Sequence, residues 1–288
     1  AAVTAISPRL YVTETGSPAS IDVFDAFANG DTAPIQAITG GTTGLTFPWS
    51  IHIVDDEIYV CDPSALAISV WPITATGNVA PVRQLKGATT TLNDNYAMTV
   101  FNHEIFVLNS TSILVFPTTA TGNVAPTRVT TGALTGITAD VYAAEVFNNE
   151  LYVLDQGAHA IHVYPLNSTG NVAPTRTITG AATQLQGSIF DMKVVGGEIY
   201  VADQVAIRVY DAAANGNVGP IRVITGPDVN LSSVIAVNVV GKELYSANVA
   251  TGSGIHVHPR NATADVSPLR TISGPLSTIK SPRFMSIY

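Results

Sequence analysis

The chain has 288 residues, a formal net charge of −8 and only 12% charged side chains. It is too apolar to be a disordered polypeptide and lacks the basic patch that nucleic-acid binding requires. No apolar run approaches the roughly 20 residues of a membrane helix, and the single cysteine, Cys61, excludes an intrachain disulfide.

The first seven residues, beginning Ala1-Ala2-Val3-Thr4-Ala5-Ile6, are apolar and lie outside the pattern that follows. They start without methionine, as a mature end left by a cleaved signal peptide would. This sets the expectation of an exported protein, extracellular or at the cell surface. Such a segment either lies along its own domain or adds a strand to a neighbouring copy, giving a homo-oligomer or filament.

Short strands follow. Arg9–Thr13, Ile21–Phe24 and Ile35–Thr39 read as three, and Trp49–Val54 opens a complete set of four. We letter these A to D: A is Trp49–Val54, B is Glu57–Cys61, C is Ile68–Trp71 and D is Val82–Lys86. Asp55-Asp56 joins A to B, and Asn102-His103, Asn148-Asn149, Gly196-Gly197 and Gly241-Lys242 recur at the same place. Such pairs accept the positive φ of a type I′ hairpin turn. Between C and D runs Gly77-Asn78-Val79-Ala80-Pro81, repeated at Gly122–Pro126 and Gly170–Pro174 and, more loosely, three times more. The six loop prolines, at 34, 81, 126, 174, 220 and 268, are 45 to 48 residues apart.

Four antiparallel strands at that period are the signature of propeller blades. The expected fold is therefore all-β: one six-bladed β-propeller over residues 1–288, four strands per blade. The chain opens at a B strand and ends on an A strand, Phe284–Tyr288. Pairing that C-terminal strand A with the N-terminal B-C-D strands closes the ring and removes the exposed ends.

The Glu-Ile-Tyr-Val-Ala-Asp run at 198–203, the Ile-x-Val-Tyr strand after it and the Asn-Gly-Asn-Val loop resemble the NHL-repeat-like propellers of bacterial secreted and surface proteins. The resemblance implies the fold and a habit of binding proteins or small ligands. Some six-bladed relatives are metal-dependent lactonases or esterases that hold a cation at the channel mouth. Their Ser-Asn-Gly and Pro-Asp-Gly motifs do not appear at the A-strand starts, which hold Pro48-Trp49, Asn95-Tyr96, Val141-Tyr142, Ile189-Phe190 and Val234-Ile235.

Two rings of residues are candidate sites. Two residues before the end of each A strand stand His52, Thr99, Glu145, Lys193, Asn238 and Ser286. Period-two alternation aims them into the central channel, as a ligand site or as a wet channel in which Glu145 and Lys193 pair. The B strands end in Glu14, Asp62, Asn109, Asp155, Asp203 and Asn248. These either hold Ca²⁺ through oxygen ligands, as a hydrolase would need, or start turns by bonding nearby backbone. On the second reading there is no cofactor.

Other features have structural readings. Arg83, Arg128, Arg176, Arg222 and Arg270 follow the loop prolines and are expected to lay their stems on the outer strands with their heads in water. Sequons at Asn109, Asn167, Asn230 and Asn261 are candidate glycosylation sites. His256 and His258 share a strand face but have no third metal ligand in view. With no catalytic motif and one face of variable B–C and D–A loops, the expected function is a non-enzymatic scaffold that binds a protein, a glycan or itself. A metal-dependent hydrolase is the alternative.

Overall fold

A computed structural model describes residues 8–249 and 253–288. The segment proposed to mediate assembly, residues 1–7, lies outside them.

Six four-stranded sheets make up the protein. Blade 1 consists of β24 (Pro282–Ile287), β1 (Arg9–Glu14), β2 (Ser20–Asp25) and β3 (Gln36–Thr39), in that spatial order. Blade 2 is β4 (Ile51–Val54), β5 (Glu57–Asp62), β6 (Ala67–Pro72) and β7 (Arg83–Lys86). Blade 3 is β8 (Ala97–Phe101), β9 (Glu104–Asn109), β10 (Ser112–Pro117) and β11 (Arg128–Thr131). Blade 4 is β12 (Val141–Phe147), β13 (Glu150–Asp155), β14 (Ala160–Pro165) and β15 (Arg176–Thr179). Blade 5 is β16 (Ile189–Val195), β17 (Glu198–Asp203), β18 (Ala206–Asp211) and β19 (Arg222–Ile224). Blade 6 is β20 (Val234–Val240), β21 (Glu243–Asn248), β22 (Gly254–Pro259) and β23 (Arg270–Ile272).

The ring closes as the strand phase requires. Val12 pairs with Met285 and Tyr11 with Ser286 across the β1–β24 ladder. Beyond it, the Arg9 and Tyr288 backbones exchange hydrogen bonds of 2.7 and 3.0 Å. The A–B turns have the expected chemistry: Asp55, Asp56, Asn148 and Asn149 all have φ between 49° and 61°, the left-handed values that a type I′ turn demands at both centres.

Alternation in B and C strands sends large apolar side chains to both faces of each blade, so the core forms between blades. Each of the six junctions has its own cluster. Tyr59, Ile68, Met98 and Val107 fill the junction of blades 2 and 3.

The repeated Gly-Asn loop proves to be a clasp between blades. Gly77 (φ 74°) bridges the outer strand of the preceding blade, donating from its N–H to the Ala37 carbonyl at 2.6 Å. The Asn78 side chain then accepts from the Thr42 N–H at 2.7 Å, holding a short helical turn, Gly41–Thr43, that leads to the next A strand. Asn123, Asn171 and Asn217 do the same for Thr89, Leu134 and Ala182, and Asp265 and Asp31 for Asp228 and Leu276. The glycine opening each turn is obligatory: Gly40 has φ 115°, and a Cβ there would stand 2.6 Å from the Asn78 side chain. These helical turns are absent from the strand-and-loop reading, because three residues are too few to show a period.

The loop arginines depart from expectation. Their heads do not stand free in water; they clasp the glutamate that opens strand B. Arg83 forks onto Glu57 at 2.6 and 2.5 Å, Arg176 onto Glu150 at 2.6 and 2.9 Å, and Arg270 onto Glu243 at 2.5 and 2.9 Å. Blade 1 reverses the pair, with Arg9 donating to Gln36 at 3.2 Å. A planar guanidinium meets a carboxylate at two points, which fixes orientation as well as charge.

Candidate functional site

The channel ring is built by register. His52, Thr99, Glu145, Lys193, Asn238 and Ser286 pair across the A–B ladder with Tyr59, Phe106, Tyr152, Tyr200, Tyr245 and Tyr11, one equivalent position in each blade. All but Thr99 border a single axial cavity with water-sized space of about 20 Å³, room for roughly one water. Thr99 is buried away from it.

Within this channel the polar groups largely satisfy one another. Lys193 donates to both Glu145 oxygens, at 2.9 and 3.0 Å. Asn238 donates to the Met285 carbonyl at 3.0 Å. Burial, with help from the Lys193 charge, pushes His52 down to about 3, so it is neutral. Burial likewise raises Glu145, and Lys193 opposes the rise.

Asp191 completes this group and escaped sequence reasoning. Its carboxylate accepts from the Val237 N–H at 2.8 Å across the blade 5–6 junction, and burial drives it well above the usual carboxylate range. A signal existed: the same register holds Ser50, Ala97, Ala143, Ala236 and Phe284, so Asp191 is the one charge in its row.

The B-strand ring fastens loops. Asp62 accepts from the N–H groups of Thr46, Phe47 and Ala65 at 2.7, 3.0 and 3.0 Å. Asp155 does so from Thr138 and Ala158, Glu14 from Lys280 and Ser281, and Asn248 from Ser232. Asn109 bonds the Asn93 N–H and the Thr91 carbonyl, while Asp203 pairs with Arg208 at 2.6 Å. The bonds run mainly to the loop that enters each blade's A strand, rather than to the residue two positions on. Among the described residues no three His, Cys, Asp or Glu side chains stand together as metal ligands. Glu14 is exceptional: burial lifts it to about 7 against two backbone hydrogen bonds, and its second oxygen is buried without a partner.

Of the sequons, Asn167, Asn230 and Asn261 are exposed. Asn109 is buried with its amide engaged in the loop, so the folded chain has no room for a glycan there. His258 is fully buried, and burial with the neighbouring His256 holds it down to about 4.

A third ring lies at the channel mouth, on the face of the B–C and D–A loops. Three residues before each channel residue stand Trp49, Tyr96, Tyr142, Phe190, Ile235 and Arg283. The odd offset reaches the channel because the A strands are bulged. Tyr142, Phe190 and Ile235 are each the extra residue between two paired neighbours, and a bulge re-aims the side chain it frees.

The rings meet: Trp49 and Tyr96 edge to face at 5.2 Å, Tyr96 and Tyr142 at 5.5 Å, Tyr142 and Phe190 at 6.0 Å, and Phe47 stacked on Trp49 at 5.4 Å. Arg283 lies over this floor, its guanidinium 5.0 Å from the Trp49 centroid and 5.6 Å from that of Phe47. It donates to the Thr15 hydroxyl at 3.1 Å, and among the described residues it has no carboxylate in salt-bridge range. The Trp49 indole nitrogen is buried without an acceptor, whereas Tyr96, Tyr142 and Phe190 keep part of their surface open. Sequence reasoning inspected these positions for lactonase motifs and overlooked the rings they hold.

No known family profile and no curated protein matches the chain. Solved structures do. A Bacteroides caccae protein of unknown function aligns over 98% of this chain and 99% of its own, with TM-score 0.70 at 10% identity. A chain of the nidogen/laminin complex aligns over 97% and 98%, with TM-score 0.65 at 15% identity. A Bacteroides fragilis protein provisionally designated a 6-phosphogluconolactonase aligns over the whole of both chains, with TM-score 0.61 at 14% identity. At these identities the likeness is one of fold.

Proposed function

We propose that the protein is a non-enzymatic binding propeller of the extracellular or cell surface, akin to the NHL-like group, and that its ligand docks at the aromatic mouth of the channel. One observation carries this reading: a partly open floor of aromatic rings with an arginine lying over it that makes no salt bridge among the described residues, Glu14 attracting it only from beyond that range. A core aromatic cluster has no use for an unpaired guanidinium, which is costly to desolvate. Aromatic faces take the apolar face of a flat or cyclic ligand, and a guanidinium takes a carboxylate in a two-point bond. A glycan bearing an acidic sugar offers both, so we place it first among ligands.

The hydrolase alternative draws no support from this geometry. Rings occupy the mouth where its cation ligands would stand, and the oxygens of the B-strand ring are largely spent on backbone. Screening the protein on an array of neutral and acidic glycans tests the reading. The expected result is retention of acidic glycans by the wild type and their loss with Arg283→Met. Equal retention by both proteins would refute it.

A further inference from the structure

The geometry points to a second binding site, for a phosphate or sulfate monoester, in the cleft between blades 5 and 6 on the face opposite the aromatic mouth. A cavity of about 550 Å³ lies there, lined by Glu198, Arg222, Gly241, Lys242, Arg260 and Asn261. Three cations thus face one carboxylate, in a protein whose net charge is −8.

The repeat supplies its own control. The equivalent cleft between blades 4 and 5 is smaller, about 250 Å³, and carries Glu150 and Arg176 in place of Glu198 and Arg222. There Gly197 stands where blade 6 has Lys242, Ala212 stands where it has Arg260, and Asp211 adds a negative charge. The other blades hold Ala26, Ile73, Thr118 and Leu166 at the Arg260 position. A blade junction therefore does not need an arginine there, and the two added cations call for another account.

Arg260 also disturbs the clasp it enters. Its Nε donates to the Tyr200 hydroxyl at 3.0 Å and one Nη to the Val195 carbonyl at 3.0 Å, and it stands 3.6 Å from Glu198. Arg222, whose counterparts fork onto their glutamates, bonds Glu198 through one arm only, at 2.5 Å. Both guanidiniums lie 5.9 Å from the Tyr200 centroid. One carboxylate cannot neutralise two guanidiniums and a lysine. Among the described residues the other Arg260 Nη and the Lys242 ammonium have no hydrogen-bond partner, so donors are left over for an oxyanion, which Arg binds as a fork and Lys as a point charge.

The test uses the full chain, made without glycosylation because Asn261 borders the cleft. Isothermal titration with inorganic phosphate, inorganic sulfate and acetate is run at matched ionic strength on wild type and on Lys242→Gly/Arg260→Ala, which rebuilds the blade 4–5 arrangement. The expected result is saturable binding of phosphate or sulfate, at least about tenfold tighter than acetate, weakened about tenfold or more in the double variant. The stronger of the two anions identifies the monoester. If the double variant does not fold, Lys242→Gly alone, a change confined to the turn, is expected to weaken binding severalfold. Absence of saturable binding by the wild type, or equal binding by wild type and folded variant, overturns the proposal. An Arg283→Met protein that still binds phosphate separates this site from the aromatic mouth.

Discussion

Arg283 lies with its guanidinium 5.0 Å above the ring of Trp49, two residues from the opposite ends of the ring closure. Arg283 belongs to the strand that closes blade 1 and Trp49 to the entry of blade 2, so the mouth is assembled only when the propeller shuts. A cation over an indole face is worth about 2 kcal/mol when desolvated, but burial of the Arg283 charge, which lowers its pKa, offsets much of that gain. Arg283→Met keeps the apolar stem and removes the charge. It is expected to leave thermal stability within about 1 kcal/mol of wild type while abolishing ligand capture; a large fall in melting temperature would instead make the pair structural.

The Gly-Asn clasp makes a prediction about stability. Removing the Asn123 side chain with Asn123→Ala frees the Thr89 N–H and should cost about 1 kcal/mol, as for a lost helix cap. Gly87→Ala should cost more, because Gly87 has φ 124° and its new Cβ would meet Asn123 at 2.6 Å. Urea unfolding of the two single variants and the double checks this. The double variant should be less destabilised than the sum of the singles, since the residues share one contact.

The channel pair makes another. Glu145→Gln leaves the Lys193 ammonium in the channel without its counter-charge and should destabilise by several kcal/mol. Glu145→Gln combined with Lys193→Met removes both charges and should recover most of that loss. Chemical denaturation of the three proteins gives the coupling. A double variant as unstable as Glu145→Gln alone would mean the pair serves something other than mutual compensation.

Buried histidines and Glu14 should pull stability in opposite directions between about pH 3 and 7. His258 is held down to about 4 from an ordinary value of 6.5, so between these the unfolded chain binds the extra proton. That contribution is whole above 6.5 and is lost as pH falls toward 4, at no more than about 1.4 kcal/mol per pH unit. His52 acts in the same sense down to about 3. Glu14, raised from 4.5 to about 7, acts oppositely: its contribution is whole below 4.5 and is lost as pH rises through 7. His258→Phe, which copies Phe24 and Phe116 at the same register, should flatten the rise in stability between about pH 4 and 6.5, and Glu14→Gln should remove the opposing fall between about 4.5 and 7. Melting curves from pH 4 to 8 check both.

The architecture was legible because the features that specify it are local and repeated. The A–B turn pairs, the loop prolines and the B and C alternations each recur with the blade, and the phase of the first and last strands dictates how the ring shuts. Even the looser copies of the loop were faithful: Asp31 and Asp265 replace asparagine and still accept the same N–H. What stayed hidden depends on contacts across blades or on broken periods. Asn78 and Gly40 read as two unrelated turn residues until the fold brings them together. Arg83 and Glu57 are 26 residues apart and meet on one sheet face only through two intervening pairings. Tyr142 sits in a bulge, so strict alternation misdirects its ring away from the channel mouth it helps to form.

The central claim is that ligand is held on the open rings of the mouth, beside the buried Trp49 and against Arg283. The chain has two tryptophans, and the other, Trp71, is fully buried at a register where Phe24 and Phe116 stand in other blades. In a Trp71→Phe background, fluorescence therefore reports on Trp49 alone. Titration with the acidic glycan retained on the array should give a saturable change in Trp49 emission that Arg283→Met abolishes. Binding confirmed by calorimetry with Trp49 emission unchanged would place the ligand elsewhere and contradict the account.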